Sequence, residues 1–129
     1  MNRNKEKKGA PGAGPQESTQ LWELQADICQ ALANPKRLQI LHLLKGGELS
    51  AGAMVRALGL PKANLSQHLS LLRQKGILAS RRSGTTIFYR LTTPEITQAC
   101  EIMRRVLGEV LSRQGSLSRN IQVVEAPEE

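Results

Sequence analysis

The sequence predicts a mainly helical domain carrying one small β-hairpin, and three observations predict it. Apolar residues recur every three or four positions through most of residues 18–113, the period of helices packed on one side. The bulk comes from Leu, Ile, Val and Ala, with Trp22, Phe88 and Tyr89 the whole aromatic supply, which suits packed helices better than a sandwich. One segment breaks the helical period: ILASRR and TIFYRL read as two strands across Ser83-Gly84-Thr85, where Gly84 can take a positive φ.

The elements follow in order. Ser18 is placed to cap a first helix whose Leu21, Leu24, Ile28 and Leu32 share a stripe, with Trp22, Ala26 and Cys29 beside it. Asn34-Pro35 ends that helix and starts a second, because Asn caps well and Pro fits the first turn. The second carries Leu38, Ile40, Leu41, Leu43 and Leu44 and is expected to be central; Gly46-Gly47 stops it. Ser50 caps a short third helix with Met54, Val55 and Leu58 inward, ended by Gly59. Pro61 opens a fourth, with Leu65, Leu69 and Leu72 as its buried stripe and Gly76 as its stop. After the hairpin, Thr93-Pro94-Glu95 begins a last helix. There Ile96, Ala99, Cys100, Met103, Val106, Leu107, Val110 and Leu111 repeat with nearly heptad spacing.

Residues 1–17 are rich in Lys, Gly and Pro and aperiodic, so they read as a disordered basic arm. Residues 114–129 read as a flexible tail, leaving 18–113 as one folded domain of this 129-residue chain. No apolar run approaches the ~20 residues that cross a bilayer, and the start lacks the apolar middle of a secretory signal. The expectation is a cytoplasmic protein without membrane contact, whose Cys29 and Cys100 are free thiols.

Charge is unevenly placed. Between Asn34 and Leu91 stand ten basic residues (Lys36, Arg37, Lys45, Arg56, Lys62, Arg73, Lys75, Arg81, Arg82, Arg90) against one acid, Glu48. Basic charge gathered in one folded segment is the footprint of a polyanion partner, although a solvated surface kept for solubility also carries such charge.

The third and fourth helices are joined by Gly59-Leu60-Pro61, the short turn of a helix-turn-helix unit, and the hairpin behind it makes a wing. In a winged helix-turn-helix the second helix of the unit enters the major groove, where each base pair shows its own donor and acceptor pattern. The solvent side from Lys62 to Ser70 suits that task. Lys62 can meet a phosphate or guanine, Gln67 can pair bidentately with adenine, and Ala63, Asn64, Ser66 and Ser70 are small or hydrogen-bonding. Arg81 and Arg82 on the first wing strand, and Thr85 and Thr86 near its tip, are placed for phosphates or the minor groove. An ordinary polar helix face would look similar in isolation; the adjacent basic hairpin is what favours double-stranded DNA.

ALANPKRLQIL, then LSQHLSLLRQKGIL, then RRSGTTIFYRL stand in the order and spacing of the ArsR-type (ArsR/SmtB) repressors, and the chain resembles that family over roughly residues 20–112. The resemblance implies a homodimer built on the first and last helices, two recognition helices on a palindromic operator, and repression relieved by a metal ion, a metalloid or a thiol oxidant. The residues agree with a dimer. The apolar face of 96–111 is too long and regular for a lone terminal helix, and a partner helix would bury it.

The familiar metal sites of the family do not carry over. Glu48-Leu49-Ser50-Ala51-Gly52-Ala53, at the start of the third helix, holds no thiol, and the last helix holds no His. His42 is expected to be a hydrogen-bonded packing residue and His68 to sit at the edge of an apolar stripe; no metal and no cofactor are expected. Cys29 and Cys100 lie on the two helices that the family pairs, so they are candidate sensor thiols. A persulfide, an oxidant or arsenite could join them, and Arg104 and Arg105 are placed to lower the pKa of Cys100. Buried cysteines are also ordinary small hydrophobes, and a repressor without an inducer stays open as an alternative.

An enzyme is not expected. The chain has no CxxC, no Gly-rich phosphate loop, no acidic metal cluster and no nucleophile beside a base. A protein-binding helix would expose aromatic or aliphatic anchors where this one exposes Gln67 and Ser70, and an RNA binder would offer stacking aromatics that this chain lacks.

Overall fold

A computed structural model describes residues 19–115. Five helices and a three-stranded antiparallel sheet follow one another as α1 (Thr19–Ala31), α2 (Pro35–Leu44), β1 (Leu49–Ser50), α3 (Ala51–Leu58), α4 (Lys62–Gln74), β2 (Leu78–Ser83), β3 (Thr86–Leu91) and α5 (Glu95–Gln114). The expected cap Ser18, the basic arm at 1–17 and the tail beyond residue 115 lie outside the described residues.

Local chemistry sets the element ends. Asn34 Oδ1 accepts from the backbone N–H groups of Lys36 and Arg37 at 2.8 and 3.1 Å, and Pro35 occupies the first turn of α2, where its missing N–H costs nothing. Ser50 Oγ accepts from Ala53 N–H at 3.1 Å and caps α3. Gly59 ends α3 in the left-handed region, φ +67°, which glycine enters without the steric penalty of a Cβ. The chain then turns through Leu60 and Pro61 directly into α4.

The core is aliphatic, as the composition requires. Ile40, Leu41 and Leu44 of α2 meet Met54 of α3, Leu65, Leu69 and Leu72 of α4, and Ile77, Leu78 and Leu91 at the base of the hairpin. Fully burying each such side chain contributes about 1.5–3 kcal/mol. The expected inward stripe of α4 is therefore the observed one, and α2 is central, although Leu38 at its start stays partly exposed.

Three expectations need correction. The sheet has a third strand, β1, which pairs Leu49 with Tyr89 and Ser50 with Phe88 on the free edge of β3. The hairpin turn is tighter than Ser83-Gly84-Thr85: Ser83 pairs with Thr86, leaving only Gly84 and Thr85 as the loop, with Gly84 at φ +65°. His42 is not a packing residue. It lies exposed on the outer side of α2, where its charge reaches Glu101 of α5.

α1 is the least covered helix. Ile28 and Leu32 rest against the core, but Leu21, Trp22 and Leu24 face solvent. No helix among the described residues is long and apolar enough to cross a membrane.

Candidate nucleic-acid interface

With Leu65, Leu69 and Leu72 turned inward, α4 presents Lys62, Ala63, Asn64, Ser66, Gln67 and Ser70 to solvent. Ser66, Gln67, Ser70, Leu71 and Gln74 line a shallow depression on this side. Every candidate groove-facing residue of this helix is thus on one open, largely polar side that admits close approach.

Recognition by a helix requires that the helix be held still, and α4 is tied at several points. Arg73 Nη1 donates to Ser80 Oγ of β2 at 3.3 Å, and Lys75 Nζ reaches both carboxylate oxygens of Asp27 on α1 at 3.0 and 3.1 Å. Thr92 Oγ1 donates to the carbonyl oxygen of Gly76 at 2.7 Å, joining the end of the wing to the end of the helix. Arg37 of α2 reaches His68 of α4.

The wing projects beside that face, with Arg81, Arg82, Thr85 and Thr86 all exposed. The two arginines differ in what they touch. Arg81 donates from Nε and Nη2 to both oxygens of Glu48, at 2.7 and 2.9 Å, and its guanidinium lies 4.7 Å from the Phe88 ring centroid. The hydrogen bond from Arg81 holds the Glu48 carboxyl below its ordinary value, with the charges of Arg81 and Arg90 adding to it. Arg82 and Lys62, like Lys36, Arg56 and Arg90, make no side-chain hydrogen bond or ion pair among the described residues, so their charges are not held by a partner. Charge counting had marked Glu48 as the lone acid of the segment but could not show which arginine it holds.

Comparison with known proteins identifies the fold. Residues 25–81 match a helix-turn-helix domain family. Over 97 residues the chain is 39% identical to the HTH-type transcriptional regulator Rv0081 of Mycobacterium tuberculosis, covering 74% of this chain and 85% of the relative. The crystal structure of that regulator superposes with a TM-score of 0.67 at 38% identity, over 75% of this chain and 98% of the other. The chain belongs to the ArsR-type family of winged helix-turn-helix transcriptional regulators. The structure of reduced HlyU from Vibrio cholerae is similar at TM-score 0.63 and 36% identity, covering 70% of this chain and 96% of that one. So is the homodimeric winged helix-turn-helix DNA-binding domain Mb0332 of Mycobacterium bovis, at TM-score 0.67 and 31% identity, over 81% and 95% of the two chains. Members of this family are DNA-binding transcriptional regulators, not enzymes.

This ArsR-type chain leaves a large apolar surface open on its terminal helices. Trp22 is 62% exposed on α1, and Met103 is 72% exposed on α5, beside Ile102, Val106 and Leu107. Contiguous apolar exposure of this kind marks an interaction surface.

The two cysteines flank the same region. Cys29 is exposed on α1 and Cys100 is half-buried on α5, close enough that Cys29 acts electrostatically on Cys100. The expected activation of Cys100 by arginine is outweighed. Burial pushes its thiol above the ordinary value, Arg104 pulls the other way, and Cys29 and Glu101 add to the rise; Arg105 takes no part. Among the described residues no group of three His, Cys, Asp or Glu side chains is gathered for a metal ion.

Proposed function

We propose that the chain is a homodimeric, cytoplasmic repressor whose two α4 helices read a palindromic operator, and that joining Cys29 to Cys100 releases it. The observation that carries the operator reading is the division of α4: three leucines seat it in the core, while Lys62, Asn64, Gln67 and Ser70 stand open beside a basic wing. A twofold dimer through the apolar faces of α1 and α5 would set the two recognition helices about 34 Å apart, one turn of duplex. Gln67 then supplies a bidentate partner for adenine, and Lys62 and Arg82 supply phosphate contacts.

The thiol reading is supported by the proximity of Cys29 and Cys100 on two different helices and by the existence of a structurally similar regulator described in its reduced form. Hydrogen peroxide would take two electrons and two protons from the pair, leaving a disulfide and two molecules of water. A persulfide would pass its outer sulfur to one cysteine as the donor thiol leaves; the second cysteine would then displace hydrogen sulfide and close the same bond. Because a disulfide holds its Cα atoms about 4.4–6.8 Å apart, closing it would fix the spacing of α1 and α5 and so bias the dimer surface they form.

The test is a titration of duplex DNA selected by this protein from a randomised pool. The protein is used reduced, then after a persulfide donor, a peroxide or arsenite, with Cys29→Ser and Cys100→Ser in parallel. Release of the wild type but of neither variant supports the thiol pair, and the treatment that works names its chemistry. Tight binding under every treatment removes the thiols from the reading and leaves a repressor without this inducer. Failure to select any sequence removes the operator itself.

A further inference from the structure

The tie between α2 and α4 has a property that the others lack. Arg37, in the first turn of α2, donates from Nε to the carbonyl oxygen of Ala31 at 2.5 Å, satisfying the last turn of α1. Its Nη1 stands 3.3 Å from Nδ1 of His68, which is half-buried on α4, one residue from Gln67. A guanidinium can only donate, so His68 Nδ1 accepts, and the ring proton sits on Nε2. One side chain therefore connects the end of a dimer-face helix to the middle of the recognition helix, and the connection requires a neutral imidazole.

We propose that Arg37 is a positioning residue for operator recognition, holding α4 to the end of α1 through neutral His68, and that protonation of His68 releases the hold. This rests on the operator reading above and gives it a regulation. A proton on Nδ1 would set one N–H against another and two cations side by side. The charged groups that face His68 are Arg37 and Lys36, both from α2 and both positive. The end of α1 and the turn after it, Ala31 to Asn34, bring no charge, and neither do the neighbours Asn64 to Leu72 on α4. Nothing in this surrounding stabilises an imidazolium. Burial, then Arg37, then Lys36 hold His68 below the ordinary imidazole range, so the hold is intact at neutral pH and fails on acidification.

The sign of the pH effect separates this role from the obvious competitor. A His68 that simply gripped a phosphate would strengthen DNA binding as it gained a proton. A His68 that positions α4 by accepting from Arg37 weakens binding under the same change.

The experiment measures affinity for the selected duplex between pH 7.5 and 5.5 at fixed salt, for wild type, Arg37→Ala, Arg37→Lys and His68→Asn. Asn offers an acceptor oxygen where Nδ1 stood and does not titrate, so His68→Asn is expected to bind as the wild type does at pH 7.5 and to keep that affinity at 5.5. Wild type is expected to lose affinity progressively over that range, by less than tenfold at pH 5.5, because a His68 held below the ordinary imidazole value is only partly protonated there; about tenfold, the size of one charged hydrogen bond, is the limit at full protonation. Both Arg37 variants are expected to bind about tenfold more weakly at pH 7.5, with a flat profile. Arg37→Lys keeps the charge but cannot span both acceptors. Nitrogen-detected NMR of the His68 ring reads the contact without DNA and is expected to show the Nε2–H tautomer. Binding that rises on acidification, a sloping profile in His68→Asn, or an Nδ1–H tautomer overturns the proposal. A wild type that selects no duplex at pH 7.5 overturns the operator reading instead, and the NMR result then still decides the contact.

Discussion

Arg81 lies bidentate on Glu48, so the one acid of the basic segment is spent on the base of the wing. The pair joins the approach to β1 to β2, and it withholds a guanidinium from any phosphate nearby. Glu48→Gln is expected to release Arg81 for DNA. Affinity for every duplex should rise, and the slope of log K against log salt should steepen by about one charge, since each phosphate neutralised releases condensed counterions. The pair is solvent-exposed and screened, so thermal stability should hardly change. Arg82→Ala is expected to do the reverse and flatten the slope. An unchanged slope in both variants would remove the wing from the DNA contacts.

In the proposed operator reading, Gln67 is the sequence-reading residue. Gln67→Ala is expected to weaken binding to the selected duplex by ~1–3 kcal/mol and to relax preference at a single base position, because a bidentate pair discriminates against the wrong base by that much. Repeating the selection with the variant checks it. Equal loss on all sequences would make Gln67 a backbone contact.

Where the sequence was readable, it was readable through period and punctuation. Leu65, Leu69 and Leu72 announce the buried side of α4 and so its open side; Asn34-Pro35, Ser50 and Gly59 announce the helix ends. β1 was not legible because two residues carry no period, and Leu49-Ser50 become a strand only when β3 arrives alongside them. The same holds for His68 with Arg37, 31 positions apart, and for Arg81 with Glu48, 33 apart. Such contacts depend on how helices stack, which local pattern does not encode. Leu21 and Leu24 show a third limit. Their spacing says that the stripe seeks cover, and not whether the cover comes from the same chain.

Gly59 permits a clean test of the helix-turn-helix joint. A Cβ there would meet nothing within 4 Å, so Gly59→Ala adds no clash with its surroundings and isolates the cost of φ +67°. The expected loss is ~1 kcal/mol by chemical denaturation, from the left-handed backbone alone. A loss several times larger would mean that the turn itself is displaced, which operator affinity would also register.

Lys45 at the end of α2 is paired with Glu101 of α5, bracing the last helix against the centre of the domain. The hydrogen bond from Lys45, then the charges of Lys45, Arg104 and His42, hold the Glu101 carboxyl below its ordinary value. A carboxyl depressed in the folded state contributes stability that is present above its unfolded pKa and lost as pH falls through the folded one. Glu101→Gln is therefore expected to melt below wild type near neutral pH. The difference should close as pH drops through the carboxylate range, from roughly pH 5 downward. Melting curves that stay parallel down to pH 3 would show that the pair contributes nothing.

The apolar face of α5 yields the sharpest expectation about assembly. Met103, Val106 and Leu107 are exposed and lie outside the core cluster, so polar substitution there leaves the packing of α2, α3 and α4 untouched. Leu107→Arg is expected to give a monomer by analytical ultracentrifugation, with the helical circular dichroism of the wild type. One half-site would then be read alone, and the avidity of two linked helices would be lost, roughly 10²–10⁴ in operator affinity. A dimer that survives Leu107→Arg would place the interface elsewhere. A monomer that keeps full affinity would mean that one recognition helix and one wing suffice, and the palindrome would have no physical basis.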